Sequence, residues 1–355
     1  MDIVAHRLHS QQLLGTQFRT PAEVVDWFGA VQAQDYPGGK WAIGLRLPGA
    51  TDADIERAIA DRSIIRTWPM RGTLHFVAAE DIRWMLEALT PRVVAGASSR
   101  HRQLELDDAT FARSREVIAA ALQGGKRLSR PAMYQTLDAA GISTQGQRGI
   151  HILGRLAQEG LICFGPHEGK QPAFVLLDEW APNAKRLERD VALAELARRY
   201  FTSHGPATVQ DFVWWSGLTA ADARAGLDAV KSALVEERVD GQSYWLRPDI
   251  TGGMPPAPLV HLLPAFDEYM VAYRDRGAAL RAVQARDIPT PGMIILGPII
   301  VADGQFVGAW KRRLGKGSVS VAAQPLLPLT DAETHALAEA ARRYGDFVGL
   351  PAHLS

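Results

Sequence analysis

The chain has 355 residues, 47% of them hydrophobic and 22% charged, with 39 Lys plus Arg balancing 39 Asp plus Glu. This is an ordinary globular composition, enough for a sizeable core over two or three domains. The single cysteine, Cys163, excludes an internal disulfide and a thiolate zinc centre, and no apolar run reaches the roughly 18 residues of a membrane helix. The opening Met1-Asp2-Ile3-Val4-Ala5-His6-Arg7 carries neither a signal nor a transit pattern, so a cytoplasmic monomer without metal or other cofactor is expected. Zero net charge does not exclude nucleic acid, but it requires the basic residues to be gathered on one face.

In chain order, Thr20-Pro21-Ala22-Glu23 is a helix start with a capping box, and the helix runs through Val24, Val25, Trp27, Phe28 and Val31. A helix over about 52–60 leads to two strands, 64–68 and 72–77. Helical spacing recurs at Met133 and Leu137, ending at Gly141, and again from Gln147 through Ile150, Leu153, Leu156 and Ala157 to Gly160. Strands at 161–164 and 173–177 flank a turn over 165–170. A helix over 191–202, a helix capped by Thr208, a helix capped by Thr219, and a hairpin turning at Asp240-Gly241 repeat that order. Thr251 to Pro258 is a Gly/Pro-rich linker; strands at 292–301, 305–313 and 317–322 and a helix over 331–348 close the chain.

Helix, helix, hairpin is the order of a winged helix. The expected fold is therefore α+β: three tandem winged-helix units forming a concave scaffold, with a C-terminal β-rich part. The boundaries expected are 1–100 (divergent, carrying a Gln-x-Gln motif), 101–182, 183–250 and 251–355. Repeated winged helices make nucleic acid the leading ligand class, although a fold does not fix a function.

Four segments carry chemistry. In Ala30-Val31-Gln32-Ala33-Gln34-Asp35-Tyr36, extended backbone points both amides the same way, and an amide pair can hold a water by donating to it and accepting from it; a polar helix end with a turn accounts for the same residues. Arg66, Trp68, Arg71 and His75 sit within one hairpin, as phosphate and base contacts or as a hairpin with a buried Trp. Asp267 and Glu268, with Arg274, Asp275 and Arg276, place carboxylates and arginines close together, as a salt-bridged helix edge or a site. Lys311, Arg312 and Arg313 form the densest basic run. Walker, Gly-x-Ser-x-Gly, His-Glu-x-x-His and Rossmann patterns are missing from the sequence, and lone histidines such as His151 and His261 read as structural.

Taken together, Val31-Gln32-Ala33-Gln34-Asp35, Met70-Arg71-Gly72-Thr73-Leu74-His75, Leu263-Pro264-Ala265-Phe266-Asp267, Asp275-Arg276, and Asp303-Gly304 with Gly308-Ala309-Trp310 resemble the AlkZ/YcaQ family of winged-helix DNA glycosylases over nearly the whole chain. The resemblance implies a C-shaped scaffold of three winged helices with an added β-rich part. It also implies a catalytic motif of glutamine, a hydrophobic residue, then glutamine or an acid. Gln32-Ala33-Gln34 matches the double-glutamine form seen in members that protect antibiotic producers. Tyr273 departs from the pattern, where a histidine is expected.

On this resemblance Gln32, Gln34 and Asp35 are catalytic. Arg66, Trp68, Arg71, His75, Arg274, Arg276, Lys311, Arg312 and Arg313 contact double-stranded DNA carrying an alkylated purine. The expected reaction is monofunctional hydrolysis of the N-glycosidic bond of N7-alkylated guanine, bulky, antibiotic-derived or crosslinked adducts included, in alkylation repair or self-resistance. Two other readings stand beside it: a winged-helix DNA binder without catalysis, and a hydrolase with Asp267 and Glu268 facing each other as acid and base.

Overall fold

The computed structural model describes residues 1–16, 18–169, 171–249, 254–255, 258–283 and 297–355. Most of the expected linker, Lys170 of the expected turn, and the first residues of the expected 292–301 strand lie outside the described residues. By contacts the chain forms two compact units, Met1–Ile55 with Leu193–Ser355 and Glu56–Ala192, with the breaks inside two helices.

Within Glu56–Ala192, strands β2 (Ile64–Met70) and β3 (Thr73–Ala78) form a hairpin, and β5 (Ile162–Glu168) and β6 (Gln171–Leu176) form another. The two join where Arg66 of β2 pairs with Phe164 of β5, so that with β4 (Leu128–Ser129) the strand order is β3-β2-β5-β6-β4. Helices α7 (Asp108–Leu122), α8 (Arg130–Ala139) and α9 (Arg148–Gln158) bury Ile118, Leu122, Met133, Leu137, Ile152, Leu153 and Leu156 against Phe164 and Phe174. Burial of such aliphatic side chains is worth about 1.5–3 kcal/mol each. The order helix, short strand, two helices, two strands is that of a winged helix.

The other unit repeats that order in α11 (Arg189–His204), a lone bridge at Ala207, α12 (Val209–Ser216), α13 (Ala220–Val230), β7 (Val235–Val239) and β8 (Gln242–Leu246). Asp240 and Gly241 both take positive φ between paired Val239 and Gln242, the backbone of a two-residue hairpin turn. Its larger sheet runs β13-β12-β11-β10-β9 (Ala352–Leu354, Val319–Pro325, Gln305–Leu314, Ile299–Ala302, Val260–Leu263), antiparallel except for the β12–β13 pair. Helix α15 (Asp331–Val348) sets Tyr344 edge-on to both Trp41 and Trp310. The same unit holds α1 (Ile3–Ser10), α2 (Pro21–Phe28), β1 (Val31–Gln32), α3 (Tyr36–Gly44) and the one-turn α14 (Glu268–Val271). Helix α4 (Asp52–Ala60) starts there and ends in the other unit. No helix among the described residues is long and apolar enough to cross a membrane.

Candidate functional site

The Gln-Ala-Gln-Asp segment is set up by its neighbours on both sides. Thr20 accepts the Glu23 N–H and the Glu23 carboxylate accepts the Thr20 N–H, which fixes the start of α2. Gly29 ends it at φ 75°, and the chain turns directly into β1. Asp35 then opens α3 with Pro37 in its first turn. A Cβ on Gly39 would stand 3.0 Å from Ala33, so the glycine lets α3 pack directly on the motif backbone. Gln32 is buried, Ala33 is fully buried, and Gln34 is exposed.

Asp35 does not cap α3 with its side chain; its Oδ2 accepts from Arg312 Nη2 at 3.1 Å. The structure thus joins a residue of the motif to the basic run. Along β11, Trp310 is buried and donates its indole N–H to the Leu263 carbonyl at 2.8 Å, while Lys311 and Arg313 are exposed and Arg312 is half-buried. Lys40, one turn into α3, pairs with Asp52 at 2.8 Å and lies over the Tyr36 ring.

Behind the motif lies a buried polar network. Arg46, 1% exposed, places all five of its N–H donors: two on the Asp267 carboxylate at 2.8 and 2.9 Å, one on the Ala42 carbonyl, and two on the carbonyl and Oε1 of Gln11. Glu268, also 1% exposed, accepts the Gln32 main-chain N–H on Oε1 at 3.0 Å and the Trp215 indole N–H on Oε2 at 2.9 Å, and meets His204 Nε2 at 3.3 Å. Burial pushes the His204 imidazole pKa down, against the raising effect of Glu268. Tyr273, at the departure from the family pattern, donates its hydroxyl to the His204 carbonyl, accepts from Gln11, and lies under the Arg7 guanidinium at 3.6 Å. Burial raises its pKa.

The reading of Asp267 and Glu268 as acid and base across a pocket is overturned. Both are core groups, and their oxygens are turned to separate partners, Arg46 on one side and Gln32, Trp215 and His204 on the other. Arg274 is exposed, with its backbone N–H on Asp211 at 2.9 Å. Arg276 donates Nε–H to the Met270 carbonyl at 2.7 Å and stacks over Trp214, and burial lowers its pKa.

In the other unit, Arg71 and Gly72, both at positive φ, form a two-residue turn between paired Met70 and Thr73. His75 is fully buried; its Nδ1 lies 3.0 Å from the Thr73 carbonyl, which can only accept, so Nδ1 carries the proton and bare Nε2 faces Arg71 Nη2 at 3.4 Å. Arg66 is buried with its guanidinium over the Phe164 ring. Trp68 packs on that same ring at 5.0 Å and lines a cleft of about 270 Å³ with Val93, Ile150 and His151. The long-range partners Arg46, His204 and Trp215 are what sequence reading missed. The only signal for them was the Leu-Pro-Ala-Phe-Asp-Glu segment itself.

A model of the family described as DNA glycosylase AlkZ-like matches residues 25–347. The interstrand DNA cross-link repair glycosylase of Streptomyces sahachiroi is 25% identical over 330 residues, 87% of each chain. The structure of the S. sahachiroi DNA glycosylase AlkZ superposes over 100% of this chain and 98% of its own with a TM-score of 0.79 at 22% identity, a likeness of fold. With the family model spanning most of its length, the chain belongs to the AlkZ-like DNA glycosylase family.

Proposed function

We propose that this protein is a monofunctional DNA glycosylase that hydrolyses the N-glycosidic bond of N7-alkylated guanine in duplex DNA, crosslinked or bulky adducts included. Gln32 and Gln34 hold the attacking water near C1′. The observation that carries the reading is the motif's setting: Gln32 held from behind through its backbone, Gln34 open to solvent, and Asp35 paired with Arg312. The name of the Streptomyces relative, a cross-link repair glycosylase, supports the substrate class.

Alkylation at N7 makes the purine cationic, so it departs as a neutral base and needs no strong general acid. What remains is to hold a water and to favour an oxocarbenium-like sugar. Neutral amides serve the first need by donating and accepting at once. The Asp35 carboxylate serves the second by its negative potential, which the ion pair with Arg312 moderates. Water, rather than an amine, is the nucleophile in this reading, and the engagement of Lys40, the lysine nearest in sequence to the motif, with Asp52 and Tyr36 is consistent with it. Arg71, Arg274, Lys311 and Arg313 supply phosphate contacts.

The test is single-turnover incubation with duplexes carrying N7-methylguanine or a bulkier N7 adduct, followed by detection of released base. Asp35→Asn lowers the rate less than Gln34→Ala. If Asp35→Asn alone abolishes excision while the glutamine variants are mild, Asp35 is a general base and the glutamine mechanism is wrong. DNA binding with no release from any N7 adduct would make the protein a non-catalytic binder.

A further inference from the structure

Strand β1 is two residues long, and its Gln32 N–H is taken by a side chain 236 residues away in sequence. A strand N–H is ordinarily satisfied by a neighbouring strand's carbonyl. Here a carboxyl group does it, and groups from three elements converge on it: the N–H donors of Gln32 from β1 and Trp215 from α12, and the His204 imidazole from α11. The carboxyl is itself fixed. Glu268 is the first residue of α14, whose start is capped by Asp267 accepting the Tyr269 N–H at 2.9 Å, and Asp267 is held by the two bonds from Arg46. Gln11 adds a bond to the Glu268 carbonyl at 3.2 Å.

The protons can be counted. Ser203 has one hydroxyl proton and two close partners, the Arg199 carbonyl at 2.7 Å and His204 Nδ1 at 2.8 Å. The carbonyl can only accept, so the hydroxyl donates there and Nδ1–H of His204 donates to Ser203. The contact between Nε2 and Glu268 Oε2 then needs one further proton between them. With a proton shared between them, Glu268 does not stand behind the motif as an isolated buried carboxylate.

We propose that Glu268 is a positioning residue for base excision: its carboxyl group clamps the main chain of Gln32 and so holds the Gln32-Ala33-Gln34 segment in one conformation. The inference rests on the reading of Gln32 and Gln34 as the water-holding pair. It assigns to the Leu-Pro-Ala-Phe-Asp-Glu segment a part in the reaction through the backbone of the motif, without contact with DNA. Displacement of such a positioned group by about 1 Å costs on the order of 10²-fold in rate.

Three substitutions separate clamping from plain core packing. Glu268→Gln leaves a carbonyl oxygen where Oε1 now accepts the Gln32 N–H and turns an amide NH2 to His204 Nε2, at the loss of the Trp215 indole bond that Oε2 now accepts. Glu268→Asp keeps a carboxyl group but draws it back by one methylene. Glu268→Ala removes the acceptor. Single-turnover excision of N7-methylguanine, duplex affinity and melting temperature are measured for each. The expected result is excision within about tenfold of wild type for Glu268→Gln and a loss of about 10²-fold for Glu268→Asp and Glu268→Ala, with affinity unchanged within about twofold throughout. If Glu268→Ala does not fold, the contrast between the Gln and Asp variants decides. Wild-type excision by Glu268→Asp, or losses in all variants that follow melting temperature and affinity together, would overturn the inference. Gln32→Ala with Gln34→Ala serves as the control. Full activity there defeats the glutamine reading itself, whereas an inactive glutamine variant beside a fully active Glu268→Asp defeats only the clamp.

Discussion

Replacing Arg46 with methionine measures how much the buried network behind the motif contributes. The side chain is 1% exposed and all five of its N–H groups are bonded, two of them to Asp267, itself 3% exposed. Methionine has similar bulk and flexibility but no donor, so Asp267 is left buried without a cation, and Gln11 Oε1 loses its donor. Breaking a buried pair from one side costs about 3–5 kcal/mol. At about 2–4 °C per kcal/mol for a body of this size, the melting temperature falls by roughly 6–20 °C. Urea unfolding followed by tryptophan fluorescence reads the free energy, with the slope m checked against wild type so that a change in compactness is not mistaken for one in stability. Adding Asp267→Asn to Arg46→Met removes the stranded charge and recovers part of the loss, because residues in direct contact are not additive. A loss below about 1 kcal/mol, or a double variant equal to the sum of the singles, would refute the reasoning.

Two further outcomes follow from the same structure. Lys311→Ala and Arg313→Ala, both exposed on β11, each reduce the slope of log affinity against log salt by about 1, read from duplex titrations between low and physiological salt; an unchanged slope removes that residue from the phosphate contacts. Burial, aided by Arg343 and Arg46, pushes the His261 imidazole pKa down to about 3. An unfolded histidine titrates near 6.5, so below that pH the unfolded chain binds a proton the folded one does not, and stability falls towards pH 3 by up to about 1.4 kcal/mol per pH unit. His261→Leu flattens this acid limb in urea titrations, and an unaltered limb would show that other groups set it.

Much of the local structure was legible because local rules governed it. The Thr20 and Thr208 capping boxes, Gly217 in the left-handed conformation after α12, and the Asp240-Gly241 turn all act within a few residues of themselves. Helix α3 was not legible, because Tyr36-Pro37-Gly38-Gly39-Lys40 has the composition of a turn. Its glycines answer to space: a Cβ on Gly38 would meet Asp35 Oδ2 at 2.6 Å, and one on Gly39 would meet Ala33. Asp267 and Glu268 looked like a charged helix edge for the same kind of reason. Whether adjacent carboxylates are exposed or buried depends on their partners, and these are Arg46, 221 residues from Asp267, and Gln32, 236 residues from Glu268. Periodicity and capping carry no information about pairs that distant. The motif glutamines were visible as an oddity of sequence, but their unequal burial was not.

That inequality separates stability from activity at the two glutamines. Gln32 is 5% exposed, so Gln32→Ala strands whatever its amide bonds to and costs about 1–3 kcal/mol of stability. Gln34 is exposed, and Gln34→Ala changes stability by no more than about 0.5 kcal/mol. If both amides hold one water, the loss of excision is nevertheless similar at the two positions, on the order of 10²–10³-fold. The double variant falls little below the worse single, since removing the second amide from a site that has already lost its water removes nothing more. Measured side by side, melting temperature therefore distinguishes the two variants and single-turnover excision does not. A cationic N7 adduct depurinates slowly without help, so a residual rate survives in all three proteins. The shared water would be excluded by a Gln34→Ala protein that excises at the wild-type rate, or by a double variant whose loss is the product of the two singles, because in either case the amides act separately.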